Sequence, residues 1–193
     1  MNALMATQPQ QQDMEEIDLA RQAITDIEAF AELYRRHLNR VYRYHIAHTG
    51  RVEDAEDLTS QTFVAALESI RSFRGAGTFA AWIMGIASRK RLMYFRGNKT
   101  ELSLESAVHY PSSDPLTETL ADERLQLQVL ARALQQISPD RAEALVLTYF
   151  SGLSHAEAGR VLKKSEAAIK MLVARGLQDL RGRTSLSLEV KHE

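Results

Sequence analysis

Cysteine is absent from this chain of 193 residues. Its absence excludes a disulfide framework, a thiol redox switch and a thiolate metal site. No apolar run approaches the roughly 18 residues that a membrane-spanning helix needs. The polar, glutamine-rich start of the sequence also lacks the apolar core of a signal peptide. We therefore expect a protein without a membrane span that works in the cytoplasm.

Net charge is small, because 24 basic and 25 acidic residues give a formal charge of -1. This balance argues against a uniformly basic nucleic-acid binder. The charges are nevertheless segregated along the chain. Seven basic residues and no acidic residue lie between positions 69 and 99, whereas acids crowd positions 53–57. Such segregation favours one cationic surface and a separate acidic surface over scattered solvated charges.

Signals for catalysis and metal binding are few. The sequence has no phosphate-binding glycine loop and no identifiable pair of nucleophile and base. His37, His45 and His48 share one helical segment, and together with the neighbouring acids they offer a conceivable metal site. Histidines in an arginine-rich helix are more often surface residues. We therefore expect no metal, no cofactor and no enzymatic activity.

Helical periodicity organises the chain, and no strand is indicated. The predicted fold class is all-α, with two small helical domains joined by a flexible linker. The predicted parts are a disordered extension (residues 1–22), a three-helix domain (23–98), the linker (99–114), a second helical domain (115–183) and a frayed tail (184–193).

The most informative segment lies near the end of the second domain. Ser154 and Glu157 form a capping-box pattern that opens a short helix. Ser165 is placed to cap a longer helix after a very short turn. A short helix, a tight turn and a longer helix form a helix-turn-helix, whose second helix can enter the DNA major groove. The C-terminal domain is therefore predicted to bind DNA.

Motifs in both halves of the chain resemble one protein family. The segments Asp54-Ala55-Glu56-Asp57-Leu58, Phe73-Arg74-Gly75 and Trp82-Ile83 are similar to the core domain of bacterial RNA polymerase sigma factors. The segments from Leu134 to Pro139 and from Ala144 to Ser154 are similar to the second domain of those proteins. The motifs follow the family's order and spacing, and the short two-domain plan resembles the extracytoplasmic-function (ECF) branch.

This resemblance implies a factor that binds core RNA polymerase and directs promoter recognition, DNA melting and transcription initiation at a specific promoter class. The partners it implies are the clamp helices of the largest polymerase subunit, the β flap, promoter DNA and an anti-sigma protein. The alternative is a helix-turn-helix transcriptional regulator that acts without being a polymerase subunit. That alternative leaves the acidic cluster and the basic first domain unexplained.

The resemblance also implies three groups of interface residues. The first is mainly acidic and suits a basic coiled coil of the polymerase, whereas the other two are mainly basic and suit DNA. The polymerase-binding group comprises Asp54, Glu56, Asp57, Leu58 and Gln61. The group for the -10 promoter element comprises Arg74, Arg89, Lys90, Arg91, Arg96 and Lys99, and the group for the -35 element comprises Lys163, Lys164, Lys170, Met171, Ala174 and Arg175.

The helix-turn-helix departs from the family pattern at several positions. Lys163 stands where the family usually has glycine, so a positive φ there would strain the lysine backbone. Gly176 stands where alanine is usual and weakens its helix slightly. Leu172 and Leu177 occupy positions where basic residues are common. Two interpretations remain open for these leucines: weak binding of the -35 element, or an apolar shoulder for a protein partner.

Overall fold

The structure is a computed structural model that describes residues 7–101 and 129–189, and all regular structure in these ranges is helical. The predicted all-α class is therefore confirmed. The first range contains α1 (Thr7–Gln22), α2 (Ile27–Thr49), α3 (Val52–Ser69), a 3₁₀ turn (Ile70–Ser72) and α4 (Phe79–Glu101). The second range contains α5 (residues 129–135), α6 (Pro139–Leu145) with a π-helical continuation (Val146–Phe150), α7 (His155–Leu162) and α8 (Glu166–Glu189).

Local chemistry sets several of the helix ends. Asp26 accepts a hydrogen bond from the amide of Glu28 at the start of α2, over 2.9 Å. Gly50 ends α2 with a left-handed backbone (φ 68°), a conformation that glycine adopts without steric penalty. Thr78 opens α4 by accepting a hydrogen bond from the amide of Ala81. No helix in the described ranges has the length and apolarity that crossing a membrane requires.

Helix α1 shows that the prediction of a disordered extension over residues 1–22 was wrong for residues 7–22. Ala20 is 1% exposed and belongs to the core, with Ile17 packed beside it. A carboxylate oxygen of Glu16 also lies 3.1 Å from Nε2 of the buried His37 on α2. The glutamine-rich composition is typical of disorder, but a short apolar stripe is stabilised by packing on α2.

The predicted linker and tail lie only partly within the described residues. Helix α4 continues to Glu101, so the first residues of the predicted linker (99–114) are helical and the remainder lies outside the described ranges. The predicted tail (184–193) is helical as far as Glu189, which contradicts its interpretation as frayed. The C-terminal helix therefore runs beyond the predicted domain boundary.

The two predicted domains share one continuous core. Buried side chains of α2 and α4 meet those of α6 and its π-helical continuation, and α7 packs against α4. A Cβ atom on Gly50 would lie 3.1 Å from the Cβ of Ala131, so the backbones approach closely between α2 and α5. The domains are therefore docked on each other along α2 and α4.

All three histidines considered for a metal site are buried, which contradicts their prediction as surface residues. Nε2 of His45 lies 3.0 Å from the hydroxyl oxygen of Thr62, between α2 and α3. Burial lowers the pKa of His45 to about 3, and the charges of His48 and Arg91 act in the same direction. Within the described ranges, no group of three or more metal-ligating side chains could hold an ion.

We expect the free energy of unfolding to fall as the pH is lowered from about 6.5 towards 3. His45 stays neutral in the folded protein, whereas the unfolded chain takes up this proton below the ordinary histidine pKa of 6.5. One such proton is worth about 1.4 kcal/mol for each pH unit. Urea unfolding at several pH values measures the effect, and the dependence should be shallower by about that slope in a His45→Gln variant. Equal slopes in the two proteins would contradict this origin.

Candidate nucleic-acid interface

Acidic side chains lie on the solvent face of the first half of α3. Glu56 and Asp57 are exposed, and Gln61 follows one turn later on the same face. The Gln61 side-chain amide donates a hydrogen bond to Asp57 over 2.7 Å. Acids near the N-terminal end of a helix are stabilised by the helix dipole. Three of the five residues predicted to bind polymerase therefore form one accessible acidic surface.

The other two members of that group have different environments. Leu58 is 2% exposed and packs into the core, so it is not part of the exposed acidic surface. Asp54 accepts a hydrogen bond of 2.8 Å from the hydroxyl of Tyr94, and its Oδ2 lies 3.0 Å from Nε of Arg51. Asp54 thus links α3 to α4, and it lies at the edge of the acidic surface.

Helix α7 covers the loop between the 3₁₀ turn and α4. Gly75 and Gly77 have positive φ values of 71° and 127°, which glycine tolerates. A Cβ atom on Gly77 would lie 3.2 Å from the guanidinium of Arg160 on α7. The hydroxyl of Thr78 also donates a hydrogen bond to Glu157 of α7. The first helix of the helix-turn-helix therefore packs over this loop.

The residues predicted to bind the -10 element do not form a single surface. Arg74, at the start of the loop, is exposed, as are Arg89 and Arg96 on α4, and Lys90 is half-buried. The side chain of Lys99 lies outside the described side chains. Arg91 differs from the others, because its side chain is only 15% exposed and points into the contact between the domains.

The partner of Arg91 is Glu143 of α6, a residue for which the sequence carried no signal. Glu143 is 4% exposed, and its Oε2 lies 2.8 Å from Nη2 of Arg91 and 3.1 Å from Nε2 of His48. Its Oε1 accepts hydrogen bonds from the hydroxyls of Tyr44 (2.6 Å) and Ser88 (3.0 Å). Burial alone would raise the pKa of Glu143, but the contacts with His48, Arg91 and Tyr44 lower it to about 2.

The helix-turn-helix has the capping pattern that the sequence predicts. Ser154 accepts a hydrogen bond from the amide of Glu157 (3.2 Å), and the Glu157 carboxylate accepts one from the amide of Ser154 (2.8 Å). The hydroxyl of Ser165 accepts a hydrogen bond from the amide of Ala168 and opens α8. Lys163 ends α7 with φ 54°, so the lysine adopts the left-handed conformation that favours glycine.

The residues predicted to bind the -35 element lie along the outer side of the turn and α8. Two of the lysines form ion pairs, Lys164 with Asp140 (3.0 Å) and Lys170 with Glu166 (2.7 Å). Exposed pairs of this kind contribute at most about 1 kcal/mol, so a phosphate can replace the carboxylate. All six of these residues are exposed: Lys163, Lys164, Lys170, Met171, Ala174 and Arg175.

Close packing accounts for three of the departures from the family pattern. A Cβ atom on Gly176 would lie 2.7 Å from Cδ1 of Leu145, so the glycine lets α8 approach α6. Leu172 and Leu177 are half-buried and pack against the core. Their packing disfavours the interpretation that they form an apolar shoulder for a protein partner.

Replacing Gly159 with alanine should destabilise the protein by about 1–3 kcal/mol. The new Cβ would lie 2.7 Å from the backbone oxygen of Lys164, which the tight turn holds in place. Gly85→Ala is the matched control, because a Cβ there meets nothing within 4 Å and alanine favours a helix. Thermal unfolding of both variants is the measurement. An unchanged midpoint for Gly159→Ala would show that the turn can move aside.

Comparisons with known proteins agree with this arrangement of two domains. Residues 33–101 match the family Sigma-70 region 2, and residues 127–180 match Sigma-70, region 4. The ECF RNA polymerase sigma factor BldN of Streptomyces coelicolor is 33% identical over 163 residues, 80% of this chain and 60% of BldN. This chain thus spans less than two thirds of BldN.

A second relative matches over most of both chains. RNA polymerase sigma factor CarQ of Myxococcus xanthus is 31% identical over 157 residues, 80% of this chain and 88% of CarQ. Among solved structures, the sigma factor RpoE of Bartonella quintana, in complex with the anti-sigma factor NepR, has a TM-score of 0.62 at 24% identity. That match covers 79% of this chain and 94% of RpoE and shows a shared fold.

Proposed function

Because this chain belongs to the RNA polymerase sigma factor family, in its ECF branch, we propose that it binds core RNA polymerase and directs initiation at a specific promoter class. The observation that carries the proposal is the presence of both matched regions in one chain, each with an exposed surface of suitable charge. Sigma factors are in general initiation factors rather than enzymes. We assign this chain no catalytic step and no cofactor, and place its action in the cytoplasm.

The acidic surface of α3 is the proposed contact with the polymerase. Glu56, Asp57 and Gln61 offer carboxylate and amide groups to a basic coiled coil, the clamp helices of the largest subunit. Opposite charges accelerate encounter and fix orientation more than they raise affinity. In this position the exposed cations of α4 can contact DNA that the polymerase holds. The second domain is proposed to face the β flap.

The exposed cations of the first domain are the proposed contact with the -10 element. Arg74, Arg89 and Arg96 can neutralise phosphates of the separated strands. The loop glycines, Gly75 and Gly77, let the backbone approach an unstacked base. Trapping a flipped base offsets stacking energy of a few kcal/mol, so melting needs no nucleotide hydrolysis.

Helix α8 is the proposed reader of the -35 element. Its outward face presents Lys170 and Arg175, which suit phosphates or the edge of a guanine in the major groove. Lys163 and Lys164, in the turn before α8, are placed to hold the DNA backbone. This division into base contacts and backbone contacts is usual for a helix-turn-helix.

Gel filtration with purified core RNA polymerase separates this proposal from the alternative of an ordinary regulator. A sigma factor is expected to elute with the core enzyme and to give promoter-dependent transcripts. A regulator that uses only its helix-turn-helix is expected to elute separately and to shift duplex DNA alone. Elution apart from the core enzyme at micromolar concentrations would contradict the proposal.

An anti-sigma protein is the further partner that we propose. The support is the shared fold with RpoE of Bartonella quintana, which was solved in complex with the anti-sigma factor NepR. A partner of this kind would compete with the polymerase for the same surfaces. Adding it to the gel-filtration experiment should displace this chain from the core enzyme.

A further inference from the structure

We propose that Glu143 is a latch whose carboxylate takes the place of a DNA phosphate on Arg91, so that docking of the two domains withdraws this arginine from the promoter. The inference rests on the proposed function, because it gives Arg91 a second, alternative partner in promoter DNA. In this proposal, the contacts of one carboxylate stabilise a closed state, and their loss gives a state that can bind DNA.

The contacts of Glu143 all come from the other domain. The carboxylate extends from α6 and is met by Tyr44 and His48 of α2 and by Ser88 and Arg91 of α4. Four side chains therefore converge on one buried carboxylate, and two of these contacts are hydrogen bonds from hydroxyls. Such a cluster specifies a single docked position, because each group would be left unpaired in the interior by a shift of α6.

Arg91 cannot contact Glu143 and DNA at the same time. Its Nη2 faces Oε2 of Glu143 at 2.8 Å and its Nε donates to the hydroxyl oxygen of Tyr44 at 3.0 Å. A guanidinium group binds a carboxylate and a phosphate with the same planar donors. Because Arg91 lies between the exposed Arg89 and Arg96 on α4, moving α6 away would expose a third arginine in this segment.

Release of α6 would also uncover the loop that precedes α4. Helices α6 and α7 both pack against α8, so they belong to one unit and are expected to move together. In the docked state, Glu157 and Arg160 of α7 contact Thr78 and the space beside Gly77. The same motion that frees Arg91 therefore opens the proposed site for an unstacked base.

The test uses the full chain without polymerase and two readouts. Because the native sequence has no cysteine, Glu68→Cys on α3 and Ala167→Cys on α8 give two dye positions for energy transfer between the domains. A fluorescent oligothymidylate reports on phosphate binding, which does not depend on the promoter sequence. In Glu143→Gln, which keeps the shape but removes the charge, we expect lower transfer efficiency and oligothymidylate binding that is tighter by about 10-fold.

Three further variants isolate the latch. Glu28→Gln removes one negative charge from the exposed start of α2 and should leave transfer unchanged and affinity within about twofold. Adding Arg91→Gln to Glu143→Gln should keep the domains apart but abolish the gain in affinity. Ser88→Ala removes one hydrogen bond from the Glu143 carboxylate, so it should open the domains in the same direction to a smaller extent. If Glu143→Gln does not fold, Ser88→Ala still tests the latch.

The outcomes separate the latch from the proposed function. Unchanged energy transfer in both Glu143→Gln and Ser88→Ala would overturn the latch, and so would an affinity gain that persists without Arg91. Binding to core RNA polymerase is measured separately. A protein that shows the latch but never elutes with the core enzyme would contradict only the proposed function.

Discussion

Replacing Glu56 and Asp57 with lysine should weaken binding to core RNA polymerase by about 100-fold or more. Both carboxylates are exposed on one face of α3, and two reversals would place four units of altered charge against a basic coiled coil. Like charges brought together at an interface cost several kcal/mol. Titration of a fluorescent chain with core enzyme, followed by anisotropy at fixed salt concentration, measures the change.

The matched control reverses two acids outside the cluster, Glu15→Lys on α1 and Glu28→Lys on α2. Both residues are exposed and the net charge change is the same. Asp54 is left in place in both proteins, because it accepts a hydrogen bond from Tyr94 and its loss would disturb the packing of α3 on α4. If both double variants bind the core enzyme equally well, the acidic surface is not the docking surface.

Replacing Arg89 and Arg96 with glutamine should lower the yield of open promoter complexes at least about 10-fold while core binding is retained. Both guanidinium groups are exposed on α4, the helix that follows the loop proposed to hold an unstacked base. Each lost phosphate contact should also reduce the slope of log affinity against log salt by about 0.7–0.9. Permanganate reactivity of thymines in the melted region measures opening directly.

The double variant Arg35→Gln with Arg43→Gln provides the charge control for this second prediction. Arg43 is exposed on α2 and lies outside the group proposed to bind the -10 element. This double variant removes the same total charge as the replacement of Arg89 and Arg96, and it should leave permanganate reactivity within about twofold. A normal footprint for the Arg89 and Arg96 pair would mean that melting depends on other residues.

Features set by neighbours in sequence were predicted well. The capping box of Ser154 and Glu157 and the cap at Ser165 depend on residues three apart, so the pattern is visible without a structure. The strain expected at Lys163 is present as a φ of 54°. The order of the helices followed from apolar periodicity because each helix buries one face.

Features set by distant partners were missed. Tyr44 and Glu143 are 99 residues apart in the chain, and a single glutamate in a helix ordinarily indicates a solvated face. The same reasoning placed Arg91 among the exposed cations, although docking of α6 buries it. Burial of a charged group depends on the groups that surround it in three dimensions. The local periodicity of the sequence does not identify those groups.

The apolar residues show a related limit. Leu58 was grouped with the acids that precede it, but its side of α3 faces inward and the side chain is buried. In α1, a polar composition concealed Ile17 and Ala20, which become a packing stripe only when α2 is present to receive them. Composition describes an average over a segment, whereas burial is decided residue by residue on one face of a helix.

Transcription in vitro with purified core RNA polymerase on a promoter library tests the central claim most directly. The sequenced 5′ ends should define one promoter class with shared -10 and -35 motifs, at a level well above that of core enzyme alone. Initiation indistinguishable from core enzyme alone, across the whole library, would contradict the assignment of this chain as a sigma factor.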